Sequence, residues 1–378
     1  MAIKHFTFDE KSSRLFAGFE YELYKSDPKW IPPGRRRILA QLGPHYSFYR
    51  RTGNLHRHFL AFSGESVVGR ASAFLNADLH EDDGLPIGTI GFFECINDYA
   101  VAQDLFDAAA GWLREECRVK KIWGPMNFDV WHQYRLMTSG FEQEPFVGEP
   151  YNKHYYPEFF ERYGFVEKRK WDSVELSDAD DLAILMRRGV QRHQQLVEQG
   201  YRFEHLKAER FREELPKLHA ILAASFQRAL GFTKISYEEF EQMILPMRPA
   251  FDPRFTIFAY DAENKLAGFA SALIDLAPAL RAFRTNEGPV AKWRFFQRRR
   301  KSNRIVFLLG GITLEEEMKA SGLGRAGFGY VIAKILAAGY PSVILALRSE
   351  TSKARGFLGN RNAMKTREYS LFELKVNS

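Results

Sequence analysis

The chain repeats itself once. "FLAFSGESVVGRASAFLNAD" (59–78) and "TIFAYDAENKLAGFASALIDL" (256–276) both read as strand, polar turn, glycine, strand, with "GRASAF" at Gly69 answered by "GFASAL" at Gly268. A second pair, "FFERYGFVEKRKWDSVEL" (159–176) and "FLGNRNAMKTREYSLFEL" (357–374), runs from a short helix into an alternating strand. The two glycines lie 199 positions apart and the closing leucines, Leu176 and Leu374, 198 apart. Two matches in one register predict two similar units in tandem, and 378 residues with 45% hydrophobic content suffice for two cores. The expected division is a first unit over 1–176, a polar helical connector over 177–200 and a second unit over 201–378.

Each unit reads as strand, helices, hairpin, further strand, helix, strand, short helix and last strand. In the second these are "YRFEHLK", two helical stretches, the hairpin, "RIVFLLGGITL", a helix after Gly324, "SVILAL", "SKARGFL" and the final strand. Alternation of this kind predicts an α/β class, each unit a mixed sheet flanked by helices.

Composition narrows the setting. Cys95 and Cys117 make neither a disulfide framework nor a zinc spacing, so a reducing cytoplasm is expected and no metal is proposed. The N-terminus has no apolar signal core, and no run of about 18 apolar residues suggests a membrane span. The net charge of +7 gathers in "GRRR" (34–37) and in "KWRFFQRRRKSNR", from Lys292 to Arg304. The second cluster interleaves aromatic and basic residues, which suits an anionic membrane surface, an anionic cofactor or nucleic acid, or else a solvated helix face.

"KASGLGRAG" (319–327) sits between an apolar strand and a helix. Gly310 and Gly311 in that strand predict a bulge or a close backbone approach. Beyond the loop Phe328, Val331, Ile332, Ile335 and Leu336 give the helix one apolar face, and Gly339 and Pro341 stop it. Free amides at the helix start form an anion site that glycines leave open, and Lys319 and Arg325 add charge. The pattern is neither a Walker loop nor a dinucleotide fingerprint, and glycines before a helix also serve packing.

"LEEEMKASGLGRAGFGYVIAKIL" resembles the acyl-CoA pyrophosphate loop of the GCN5-related N-acetyltransferase (GNAT) superfamily. Leu314 takes the valine place, Glu316 the proline, Lys319 the Gln/Arg, and Gly322 and Gly324 the glycines. The element order agrees through both halves, so the chain resembles bacterial tandem-unit acyltransferases, ceramide-synthase-like proteins among them. The resemblance implies two GNAT-like units, each with a mostly antiparallel sheet. It also implies direct attack of a primary amine, small or lipid-like, on acetyl-CoA or a longer acyl-CoA. The cofactor residues it implies are Ile312, Leu314, Lys319, Ser321, Gly322, Leu323, Gly324 and Arg325, with an oxyanion donor among the amides from Ile312 to Leu314.

The units are unequal. The first reaches its helix through Asn97 and Asp98 with no glycine loop. Either residue would cap the helix, whose buried face is Val101, Leu105, Ala109, Trp112 and Leu113, and a carboxylate there repels phosphate. Cofactor binding is therefore expected in the second unit only. The family's acid tyrosine falls on Phe160 in the first unit and Leu358 in the second, so tyrosine acid catalysis at that position is unsupported.

Candidate bases are Glu94, His132 and Glu315. The run from Glu315 to Glu317 also reads as solvated loop charge, and Glu94, on an apolar strand, must be paired, protonated or functional. The long loop over 124–160 carries Asn127, Trp131, Tyr134, Tyr151 and Asn152, which either line an acceptor pocket between the units or cover the missing cofactor site. The insertion over 276–303 suits an interfacial helix at the inner membrane face or a lid over an acyl chain.

Two alternatives stay open. One is a protein like the aminoacyl-tRNA-dependent peptidyl transferases, which also pair such units and would set the basic clusters on RNA, although nucleic acid is not the favoured partner. The other is a non-catalytic acyl-CoA-binding protein.

Overall fold

A computed structural model describes residues 1–81, 83–352, 355 and 365–376. The first half runs β1 (Ala2–Phe6), α1 (Glu10–Leu23), α2 (Arg35–Gln41), α3 (Ser47–Arg50), β2 (Leu55–Ser63), β3 (Ser66–His80), β4 (Pro86–Cys95), α4 (Tyr99–Glu115), β5 (Lys121–Gly124), β6 (Leu136–Ser139), α5 (Tyr156–Tyr163) and β7 (Val166–Leu176). After α6 (Ala179–Glu198), the second half runs β8 (Arg202–His205), α7 (Phe211–Phe226), α8 (Tyr237–Ile244), β9 (Phe251–Tyr260), β10 (Leu266–Ile274), α9 (Ala277–Leu280) and α10 (Pro289–Arg299). It closes with β11 (Arg304–Ile312), α11 (Leu314–Lys319), α12 (Leu323–Ala337), β12 (Ser342–Ser349) and β13 (Lys365–Lys375).

Among the described residues the strands form one sheet in the order β1-β2-β3-β4-β5-β13-β7-β12-β11-β10-β9-β8, with β6 paired to β13. The pairs β4–β5 and β11–β12 are parallel and the others antiparallel. The predicted α/β class with a mixed, mostly antiparallel sheet is what the chain adopts.

The closing strands are exchanged between the halves. β7 ends the first half but pairs with β12, Leu176 opposite Val343, whereas β13 ends the second half and pairs with β5, Phe372 opposite Gly124. Phe372 consequently completes the first-half core beside Phe160 and Phe165, and Val174 and Leu176 complete the second-half core beside Val343 and Leu345. Burying a phenylalanine is worth about 2–3 kcal/mol, so each half draws stability from the other's strand. The short helix expected around "SKARGFL", with Leu358, lies outside the described residues.

Capping follows local sequence. Asp98 caps α4, its carboxylate accepting from Ala100 N, and Val101, Leu105, Ala109, Trp112 and Leu113 are all buried, as the apolar spacing predicts. Phe328, Val331, Ile332 and Ile335 of α12 pack on Ile257, Ala270, Ile305 and Val343. α6 crosses α12 at two glycines, close enough that a Cβ on Gly189 would sit 2.3 Å from Gly329 Cα. No described helix is long and apolar enough to cross a membrane.

Candidate functional site

Two parallel pairs separate at equivalent places in the halves, and the openings differ. In the second half β11 and β12 pair only as far as Phe307 and Leu345. Beyond that point residues 308–312 of β11 form a partly exposed edge, with Gly310 exposed. Where β11 meets β10 the register slips between Ser271 and Ala272, so Leu308 is a bulge beside the glycines. Gly311 is the close approach: a Cβ there would sit 2.3 Å from Ser225 Oγ, which donates to Ile312 O at 2.9 Å.

The chain then turns into α12. One expectation needs correcting, because residues 314–319 form the helix α11, capped by Thr313, and not an open loop. Ala320 and Gly322 adopt left-handed backbone, φ 49° and 72°, to carry the chain from α11 to α12. Ser321 Oγ accepts from Leu323 N at 3.2 Å, and nothing lies within 4 Å of the position a Gly324 side chain would take. Arg192, from α6, donates its Nε–H to Ser321 O at 2.7 Å and lies against Gly322. Arg192 is 129 residues from Ser321, and no local motif reveals it.

Of the loop carboxylates, Glu315 is 61% exposed and pairs with Lys319 at 3.0 Å. Glu316 departs from the solvated reading. It is 2% exposed and accepts from the Tyr201 hydroxyl and from Lys319 Nζ, fixing α11 against the strand β8 region. Lys319 is thereby held by two carboxylates, which raise its pKa. Leu314 is on the first turn of α11 and Ile312 on the β11 edge; Thr313 N–H is bonded to Ala267 O at 2.9 Å. Strand alternation therefore turns Ile312 N–H and C=O to the side away from β10. Leu323 is buried in the core, and Arg325 is in the first turn of α12.

In the first half the same opening is filled. β4 and β5 pair from Ile87 to Thr89, after which the chain at 125–127 stays against the β4 edge. Met126 N donates to Ile90 O at 2.9 Å and Phe92 N to Asn127 Oδ1 at 2.7 Å. A Cβ on Gly91 would meet Asn127 Oδ1 at 2.4 Å and Met126 O at 2.5 Å. Asn127 thus supplies the strand-edge contact a ligand would otherwise make.

The loop over 124–160 then reaches the second half. Trp131 Nε1 donates to Thr233 O at 2.8 Å and its ring meets Phe226, Phe232 and Phe240. Asp129 Oδ1 lies 2.6 Å from His132 Nδ1, His132 Nε2 lies 2.5 Å from the Tyr46 hydroxyl, and Asp129 Oδ2 accepts from Thr233 at 2.9 Å. His132 is buried inside this relay. Phe146 packs on Val306 and Ile344, and Val147 on Leu308, so the loop roofs the second-half strands next to the open edge. Tyr134 lies against Arg135 and Trp171. Tyr151 bonds Asp27 and Asn152 bonds Met137; both line a first-half cavity of about 580 Å³ with Asn97, Lys153 and Tyr155. The five expected acceptor residues therefore do not line one pocket: Tyr151 and Asn152 share the first-half cavity, and Asn127, Trp131 and Tyr134 lie elsewhere.

Glu94 belongs to a buried network. Its Oε2 accepts from Tyr156 OH at 2.7 Å, Tyr156 OH accepts from Cys95 N at 2.8 Å, and the Arg70–Glu20 pair (2.6 Å) lies nearby. Burial, and then the Glu20 charge, pushes the Glu94 carboxyl up to about 8. Tyr156 is the hydroxyl the sequence did not single out, one helical turn before Phe160. Phe160 itself is core, packed on Phe93, Phe106 and Phe165. Among the described residues no group of His, Cys, Asp and Glu is arranged to hold a metal.

With this geometry the known proteins can be compared. No family model matches the chain. Over 99% of its length it superposes on 98% of a tandem GNAT protein from the clavulanic acid biosynthesis pathway, with TM-score 0.54 and 12% identity. The chain has the tandem GNAT fold. A protein of Enterococcus faecalis V583 described as a probable N-acyltransferase shares it, at TM-score 0.53 and 9% identity, over 99% of this chain and 72% of that one.

Two curated relatives add sequence likeness to the tandem GNAT fold. Protein YghO of Escherichia coli K12 is 27% identical over 238 residues, 61% of this chain and 57% of its own length. The bacterial ceramide synthase of Caulobacter vibrioides is 25% identical over 268 residues, 71% of this chain and 68% of its own. The chain spans little more than half of YghO. Fold and relatives together support an acyl-transferase kind of function.

Proposed function

We propose that the protein is an N-acyltransferase that takes its acyl group from an acyl-CoA held in the second half and transfers it to a primary amine. One observation carries this reading: the β11 edge at 308–312 stays open past the separation from β12 and leads into the glycine start of α12. An extended pantetheine arm pairs with such an edge as a strand would, and a pyrophosphate at its end meets the α12 amides with Arg192 beside them. Gly324 leaves that place clear.

The amine nitrogen attacks the thioester carbon, the C–N bond forms and the C–S bond breaks. Charge gathers on the carbonyl oxygen, for which Ile312 N–H on the open edge is the backbone donor. The ammonium proton leaves to water or to Glu315, whereas Glu94 and His132 are enclosed in buried networks. The thiolate takes its proton from solvent, and holding the two reactants together supplies much of the acceleration.

A ceramide is a long-chain amine bearing an amide-linked acyl group, so likeness to a ceramide synthase supports a long-chain amine as acceptor. Leu308 and Leu309 beside the cleft, with Phe226 and Val147, give it apolar walls suited to such chains. The test is thiol release and amide formation, followed by mass spectrometry, with acetyl-CoA or palmitoyl-CoA and a long-chain amino alcohol. Amide with wild type and none with Gly324→Glu is expected; no thiol release from either thioester would contradict the reading.

A further inference from the structure

The two basic clusters, far apart in sequence, meet on one face of the molecule. Arg35 N donates to Glu287 Oε1 at 3.2 Å, and Arg36 Nε lies 3.9 Å from Glu287 Oε2, which sets the start of α2 against the turn leading into α10. The same segment is tied to the first half by Arg281, paired with Glu144 at 2.5 Å, and by Arg284, which donates to Lys25 O at 3.1 Å. α10 itself buries Ala291 and Phe295, one turn apart, with Phe295 against Phe283. It is therefore a fixed helix with a defined outer side.

That outer side is apolar. Val290, Trp293 and Phe296 follow at intervals of three and are 60%, 63% and 56% exposed. At about 100° per residue Trp293 points directly away from the buried pair, with Val290 and Phe296 to either side. Lys292 flanks this ridge on one side and Arg294 on the other, and Arg298, Arg300 and Lys301 are exposed at its C-terminal end. Among the described residues none of these five has a carboxylate within ion-pair distance, and Glu287 is the one acidic residue between 276 and 304. Arg35, Arg36 and Arg37 extend the positive surface.

A helix facing only water has no use for an exposed Trp, Phe and Val in a row, and a helix packed on a protein partner has no use for charge this one-sided. Both features suit a surface that is apolar inside and anionic at its rim. We propose that α10, with the basic start of α2, is an interfacial anchor that lays the protein on an anionic lipid bilayer. Trp293, Phe296 and Val290 enter at headgroup depth while the flanking Lys and Arg meet lipid phosphates. RNA is the poorer occupant: single strands are taken in grooves that follow the backbone, whereas this ridge is convex and includes an aliphatic residue. The proposal does not depend on the acyl-transfer reading, since its readout is membrane binding and not turnover.

The experiment is flotation of the full-length protein with vesicles of phosphatidylcholine alone, or of three parts phosphatidylcholine to one part phosphatidylglycerol. Wild type should float with the mixed vesicles, weakly with the neutral ones, and less as salt rises. Trp293→Ser with Phe296→Ser should lower partitioning by about tenfold or more, and Arg294→Gln, Arg298→Gln and Arg300→Gln together by roughly 100-fold. All five side chains are exposed, and an unchanged thermal melt confirms that each variant is folded. Wild type that does not float, or folded variants that float equally well, would overturn the proposal. So would RNA binding lost in the same variants while vesicles stay unbound.

Discussion

The β4–β5 and β11–β12 openings are the same place in two copies of one fold, yet one is an interior and the other a cleft. In the first half, Met126 and Asn127 satisfy the strand edge and Gly91 leaves them room. In the second, the edge at 308–312 stays partly exposed and the helix beyond it starts with glycine in place of Asp98. Filling one opening turned the first half into a scaffold whose loop, through Trp131, Phe146 and Val147, walls the other. A repeat in sequence therefore need not be a repeat in function.

This contrast can be broken in several places. The largest effect is expected at Glu94. Its folded carboxyl is raised to about 8, above its unfolded value near 4.5, so the folded state holds a proton the unfolded state has released across that range. Stability should therefore fall as pH rises from about 5 to 8, and Glu94→Gln should remove most of that slope in denaturant titrations at several pH values. An unchanged slope would mean that Glu94 is ionised when buried.

Gly91 and Gly310 are a matched pair. Gly91→Ala forces a methyl into Asn127 and Met126 and should cost about 2–3 kcal/mol in urea unfolding. Gly310→Ala meets nothing closer than Phe307 Cε1 at 3.4 Å and should cost about 0.5 kcal/mol or less, while weakening acyl-CoA binding. Equal costs at the two positions would erase the distinction between filled and open edges. Next in size, Asn127→Ala leaves Phe92 N–H buried without an acceptor and should cost about 2 kcal/mol. The smallest effect is at the α4 cap, where Asp98→Ala should lower stability by about 1 kcal/mol and leave acyl-CoA affinity unchanged.

Local patterns carried much of this into the sequence. The alternation in "GRASAF" and "GFASAL", the Asp98 cap and the glycines at 322 and 324 depend on near neighbours, and each is legible. The exchange of β7 and β13 was not, because both strands alternate alike and only long-range pairing decides which neighbours each one takes in the sheet. Asn127 read as a binding residue because a polar loop residue and a buried hydrogen-bond plug look the same in one dimension. Arg192 and the Gly189–Gly329 crossing depend on how α6 lies on α12, which helix periodicity leaves open. Tyr156 was passed over because the family's spacing points to Phe160, one turn along the same helix.

The most direct test of a single open cleft is calorimetric titration of the wild-type protein and Gly324→Glu with CoA and palmitoyl-CoA. A glutamate at Gly324 is tolerated by the first turn of α12 but sets a charge where a pyrophosphate would lie. The account predicts one molecule bound per wild-type chain and none by the folded variant. Two molecules per chain, or binding that survives the substitution, would contradict it.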